Sequence, residues 1–146
     1  MNNYPEWWNT TITIYNKYTD AETRQITWYT HTLDNCFWQY VKDKLSVGET
    51  VLETTFTKCR IPKNPLFKEK YEWVNLDDKS KYFTLGVGDI ILKGNSSIQI
   101  NEYEKGHRSS DIISQYKELQ GCIVIDTVSI DIGAGRCNEH YYVRGN

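Results

Sequence analysis

The chain has 146 residues, enough for one domain with one core, and a domain of this size buries about two thirds of the surface its unfolded chain exposes. Its 17 basic and 19 acidic residues give a formal charge of -2, so it lacks the positive field that non-specific nucleic-acid binding requires. No run approaches the ~20 apolar residues of a membrane-spanning helix, and residues 1–8 have neither the basic nor the apolar region of a signal peptide, so the expectation is a soluble product of the cytoplasm with no membrane partner.

Aromatic residues make up 14% of the chain, with 5 Trp and 11 Tyr against 3 Pro. Such rings favour pleated surfaces and protein interfaces over helix interiors. The expected fold class is therefore all-β and mainly antiparallel: one small β-barrel domain over residues 1–146, with one short α-helix before the last two strands and a long loop.

Taken in chain order, Ile12 and Ile14 alternate with threonines, and Ile26 and Trp28 alternate with Thr27 and Tyr29, which predicts a hairpin of two half-buried strands with a long tip. Residues 36–41 predict a third strand and residues 51–61 a fourth, ended by Pro62. From 62 to 82 lysines are interleaved with Leu66, Phe67, Tyr71 and Trp73, a long loop of the kind that is functional or flexible, read either as a solvated excursion that covers one end of the barrel or as a partner-docking arm. Residues 86–89 predict a turn, 90–93 a buried strand bounded by glycine, and 98–100 a strand pairing next to it. Ser109 or Ser110 can cap a helix ending near Leu119, with Ile112, Tyr116 and Leu119 on one face. The last two strands run from Cys122 to about Ile130 and from His140 to Arg144, joined by a turn with Gly133 and Gly135.

No pattern of catalytic chemistry emerges. Cys36, Cys59, Cys122 and Cys137 are far apart in strand-like runs, as expected of buried free thiols. Cys137 and His140 form the one closely spaced metal-ligand pair, too few for a tetrahedral zinc shell, so no metal and no cofactor is expected. His31, His107 and His140 lie near no nucleophile elbow, and residues 86–89 lead into a strand rather than the helix that a phosphate loop needs. Glu102, Glu104 and Asp89 offer paired carboxylates in principle, although acids beside short strands mostly face solvent. No catalytic residue is assigned. Arg108 is left over at the helix entrance, where its planar head suits a neighbouring subunit's carboxylate. Trp28, Trp38 and Trp73 would supply a stacking platform if the chain were instead a carbohydrate- or peptide-binding module.

The order of several features, namely Thr11 to Tyr15, Cys59 to Pro62, Gly88 to Gly94, Arg108 to Tyr116 and His140 to Val143, resembles small proteins of the head-to-tail region of tailed phages and prophages of Gram-positive bacteria. These are of the head-closure or head–tail connector type. The resemblance implies a non-enzymatic virion protein made in the bacterial host. It would form a homo-oligomeric ring in the neck, between portal or adaptor and tail proteins, and help retain DNA that passes through without sequence-specific binding. Related roles it leaves open are a tail-completion or a minor capsid protein. Within that reading Tyr4, Trp7, Trp8, Leu66, Phe67, Tyr71, Trp73 and Arg108 are the expected contact residues, because exposed aromatic groups are enriched in interfaces.

Overall fold

The structure, a computed structural model, describes residues 4–117, 121–132 and 139–146. Six strands dominate it: β1 (Thr10–Thr19), β2 (Ile26–Val47), β3 (Thr50–Pro62), β4 (Ile90–Lys93), β5 (Cys122–Ile132) and β6 (His140–Gly145). They close into an antiparallel barrel in the order β1-β2-β3-β6-β5-β4, with β4 hydrogen-bonded back to β1. Helix α1 (Lys70–Trp73) and a 3-10 turn (Lys79–Lys81) lie between β3 and β4, and α2 (Ser109–Lys117) lies between β4 and β5. The all-β barrel with a helix before its last two strands is what the alternating pattern predicts. No described helix is long and apolar enough to cross a membrane.

The inward stripe of each strand builds the barrel core: Ile12 and Ile14 of β1, Cys59 and Ile61 of β3, Ile91 of β4, Ile123 and Ile125 of β5 and Val143 of β6. A second cluster lies outside it, where Tyr15, Ile90 and Leu92 meet Ile100 and Ile112 beneath α2. Strand β4 is therefore covered on both faces, which is why it reads as a continuous apolar run rather than an alternating one. Gly145 allows the closest approach of two strands, since a Cβ there would collide with the Val124 carbonyl.

Three expectations are corrected. Residues 36–41 are not a separate strand: β2 runs unbroken for 22 residues and absorbs Asp34-Asn35 as a bulge, with Ile12 opposite Leu33 but Thr10 opposite Cys36. Asn35 takes the left-handed conformation there (φ 60°), which asparagine tolerates better than most residues. The extra residue re-phases the strand, so Leu33 and Cys36 both face the core. Residues 98–100 form no strand; they are held by side chains, Tyr15 donating from its hydroxyl to the Ile98 carbonyl at 2.7 Å. The long segment after β3 covers one end of the barrel, as one of its two readings has it, but it is neither bare loop nor fully solvated, for it holds α1 and the 3-10 turn and buries Trp73. Leu119, Cys137 and the turn glycines Gly133 and Gly135 lie outside the described residues.

Candidate interaction surface

The β2–β3 hairpin outgrows the barrel. Strand β1 pairs with β2 only as far as Cys36, and β6 pairs with β3 only from Thr57 onward. Between these limits seven cross-strand pairs, from Val41 opposite Phe56 to Val47 opposite Thr50, make a two-stranded arm whose outer edges pair with no other strand among the described residues. At about 3.3 Å per residue this arm is roughly 20 Å long. Its tip is a two-residue turn in which Gly48 takes positive φ (63°) and Glu49 does not, matching the glycine-first hairpin turn.

The arm carries apolar side chains in water. Val47, Val51 and Leu52 are 56%, 62% and 50% exposed, and Tyr40 at its base is 39% exposed. Lys42 and Glu53 form an ion pair across one face at 3.1 Å, and Arg144 of β6 lies over the Phe56 ring at 5.0 Å at the root of the other. An isolated two-stranded ribbon is marginally stable in water, so an arm of this composition gains from a partner surface. Residues 51–61 read from the sequence as one strand; what the sequence left hidden is that half of it has no third strand beside it.

The contact residues expected from the sequence divide. Trp73 is fully buried, with its indole N–H donating to the Tyr82 carbonyl at 3.3 Å and with Tyr18 and Tyr29 edge-on to its ring. It closes the barrel mouth and is not a surface residue. Trp8 is buried as well, stacked on Tyr4 and packed against Phe37 and His140. Tyr4 is fastened: its hydroxyl donates to the Glu139 carbonyl at 2.6 Å and accepts from the Lys63 amide at 3.0 Å. The N-terminal segment is thus a clasp on the outer face of β2, β3 and β6, and only Trp7 of its aromatics is exposed, at 67%. Phe67 is half-buried between Phe83 and Tyr141, whereas Leu66, Tyr71 and Arg108 stay exposed. The structure does not gather these exposed residues into one patch with the arm. The hydrophobic exposure of the arm was missed because Val47, Val51 and Leu52 lie in runs that read as strand whether or not a third strand covers them.

The stacking platform is not assembled either. Trp28 and Tyr29 point to opposite faces of β2; Trp28 packs on the cluster under α2 while Trp73 sits with Tyr29 at the barrel mouth, and Trp38 packs on the barrel core. Trp28 instead donates to Glu102 at 3.2 Å, and Glu102 accepts from the Ser109 amide at 2.7 Å. The start of α2 is therefore held by Glu102, and by Asp111 accepting from the Arg108 amide, rather than by a serine cap.

The titratable groups are placed separately. Asp89 is enclosed at the start of β4, where it accepts from the Lys17 and Gly86 amides and the Asn16 side chain, with the Lys70 ammonium 3.6 Å away. Burial raises its pKa against the pull of Lys70 and these donors. Burial lowers the pKa of His31, which lies over Phe83. Arg60 contacts His140 Nε2 at 2.9 Å beneath Trp8. Cys36, Cys59 and Cys122 are buried free thiols, and burial raises Cys122 to about 11. Among the described residues no three His, Cys, Asp or Glu side chains gather as metal ligands.

A protein-family model, the family of unknown function DUF6751, matches residues 7–146. The chain belongs to that family. For this DUF6751 member, searches of curated proteins and of solved structures each found no match. The matched span begins at Trp7 and takes in the clasp residue Trp8, the arm, the barrel plug and every strand of the barrel.

Proposed function

We propose that this protein is a non-enzymatic assembly subunit of a tailed-phage neck, of the head-closure or head–tail connector type, working as a homo-oligomeric ring between portal or adaptor and tail proteins. The observation that carries the reading is the arm: a closed barrel that needs no further strand extends a ribbon with unpaired edges and exposed Val47, Val51 and Leu52. Apolar surface of this kind on a projecting element marks a protein–protein contact. The order of sequence features, which resembles that of neck proteins, is what supports this kind of assembly. A net charge of -2 suits a ring through which DNA passes without being gripped.

Deleting residues 66–79 is not a usable test, because it removes the buried Trp73 with the loop. The arm itself can be shortened: residues 42–55 are replaced by Asn-Gly, which joins Val41 to Phe56 through a two-residue turn. In a phage or prophage carrying this gene, the shortened chain is expected to leave filled heads and free tails by electron microscopy, with infectious yield reduced. The wild-type chain is expected in purified particles by mass spectrometry. Normal yield from the shortened gene, or particles without the chain, overturns the reading.

A further inference from the structure

A cavity of about 780 Å³ lies between the start of β2 and the segment that leads from β4 to α2. Its volume falls in the ~300–1,000 Å³ range of small-molecule sites. One wall is formed by residues 25–28; the other is formed by residues 97–101 and the turn that carries Tyr103 and His107. Both walls are fixed. The Tyr103 hydroxyl accepts from the Ile26 amide at 2.9 Å and so ties one wall to the other. The Trp28 indole N–H is held by Glu102, and the Tyr15 hydroxyl holds the Ile98 carbonyl. Asn101 closes the turn: its amide donates to the His107 carbonyl at 2.8 Å, and its side chain accepts from the Tyr103 amide at 2.9 Å. Tyr103 is still 64% exposed, and with the half-buried Trp28 it gives the cavity two aromatic rings.

The polar groups of the lining select the ligand. Among the described residues, the side-chain amides of Gln25 and Gln99 and the hydroxyls of Thr27 and Ser97 form no hydrogen bond with the protein, and all four residues are exposed. Each brings a neutral donor and a neutral acceptor. Glu104 is the one carboxylate of the lining, with His107 Nε2 at 3.8 Å from it. Glu102 is already engaged by the Trp28 indole and the Ser109 amide, and Lys17, opposite Trp28 on β1, lines a different recess. No lysine or arginine belongs to the lining, so a phosphate or carboxylate would meet no counter-charge there. Aromatic rings beside neutral amides and hydroxyls match a sugar ring, whose C–H face is apolar and whose hydroxyls both donate and accept. We infer that this cavity is a binding site for a neutral oligosaccharide. It is not a platform of three tryptophans, since Trp38 and Trp73 take no part in it, and it involves neither the arm nor a ring.

The test is a glycan array spanning neutral and acidic oligosaccharides, probed with the full chain, followed by NMR titration of the strongest neutral glycan into isotope-labelled protein. The Trp28 indole N–H resonance, assigned through Trp28→Phe, is expected to shift during the titration, while that of the buried Trp73 stays in place. Gln99→Ala and Tyr103→Ala, both at exposed positions, are each expected to bind at least about 5-fold more weakly, and thermal melting checks that each keeps the fold. A tryptic digest of casein is the peptide control and is expected to leave the Trp28 resonance unmoved. An array on which no neutral glycan binds overturns the proposal. So does a neutral glycan whose affinity neither variant changes, or a digest that shifts the Trp28 resonance as strongly as the glycan does.

Discussion

Asp89 gathers three hydrogen-bond donors and the Lys70 ammonium around a carboxylate that is almost completely buried. Its raised pKa means that ionisation costs the folded state more than the unfolded chain. That cost is absent below the ordinary carboxylate range and complete once pH has risen through the folded pKa. Lys70 lowers the cost, so Lys70→Met should destabilise the protein most at neutral pH. The loss should be about 0.5–1 kcal/mol, the modest figure following from a lysine that is still partly in water. The gap between variant and wild type should narrow as pH falls through the Asp89 pKa, leaving a pH-independent remainder from the lost Lys70 bond to the Lys17 carbonyl. Urea denaturation across that range measures it; a gap that does not change with pH would mean that the ion pair contributes nothing.

The four residues of α1 are too few to be helical on their own account; the element exists because Trp73 inserts between Tyr18 and Tyr29. Trp73→Ala should therefore cost about 3–5 kcal/mol, while Tyr71→Ala, two residues earlier and exposed, should stay within about 0.5 kcal/mol of wild type. Equal losses by thermal denaturation would show that the segment is not a plug. This distinction was not legible in the sequence, because lysines interleaved with aromatics have the same appearance whether the rings point to water or into a barrel mouth. The strands that form the barrel were legible through their period of two, and α2 through Ile112 and Tyr116. The strand expected at residues 98–100 failed for a reason of topology: β4 already has β1 on one edge and β5 on the other, and a closed ring offers no third edge. The break expected before residue 36 failed because a bulge and a turn use the same residues, here Asp34-Asn35.

At the scale of the molecule, both core clusters are built without residues 41–56. Replacing residues 42–55 by Asn-Gly should accordingly leave the melting temperature within about 4 °C of wild type, a change of about 1 kcal/mol for a domain of this size. A larger fall in a calorimetric scan would make the arm part of the fold rather than an appendage to it. The exposed arm was illegible in the sequence because it is assembled from residues whose neighbours in space, not in sequence, decide whether they are covered.

The bulge at Asn35 sits within the barrel part of β2, ahead of Cys36 and Trp38, which face the barrel core, and ahead of the arm that begins at Val41. Residues added or removed in matched pairs beyond Val41 and before Phe56 change reach alone, since the interior never registers them. Loss of Asn35 would instead invert inside and outside along everything distal to it. The stem is thus free in its length and rigid in its phase, and one asparagine sets that phase.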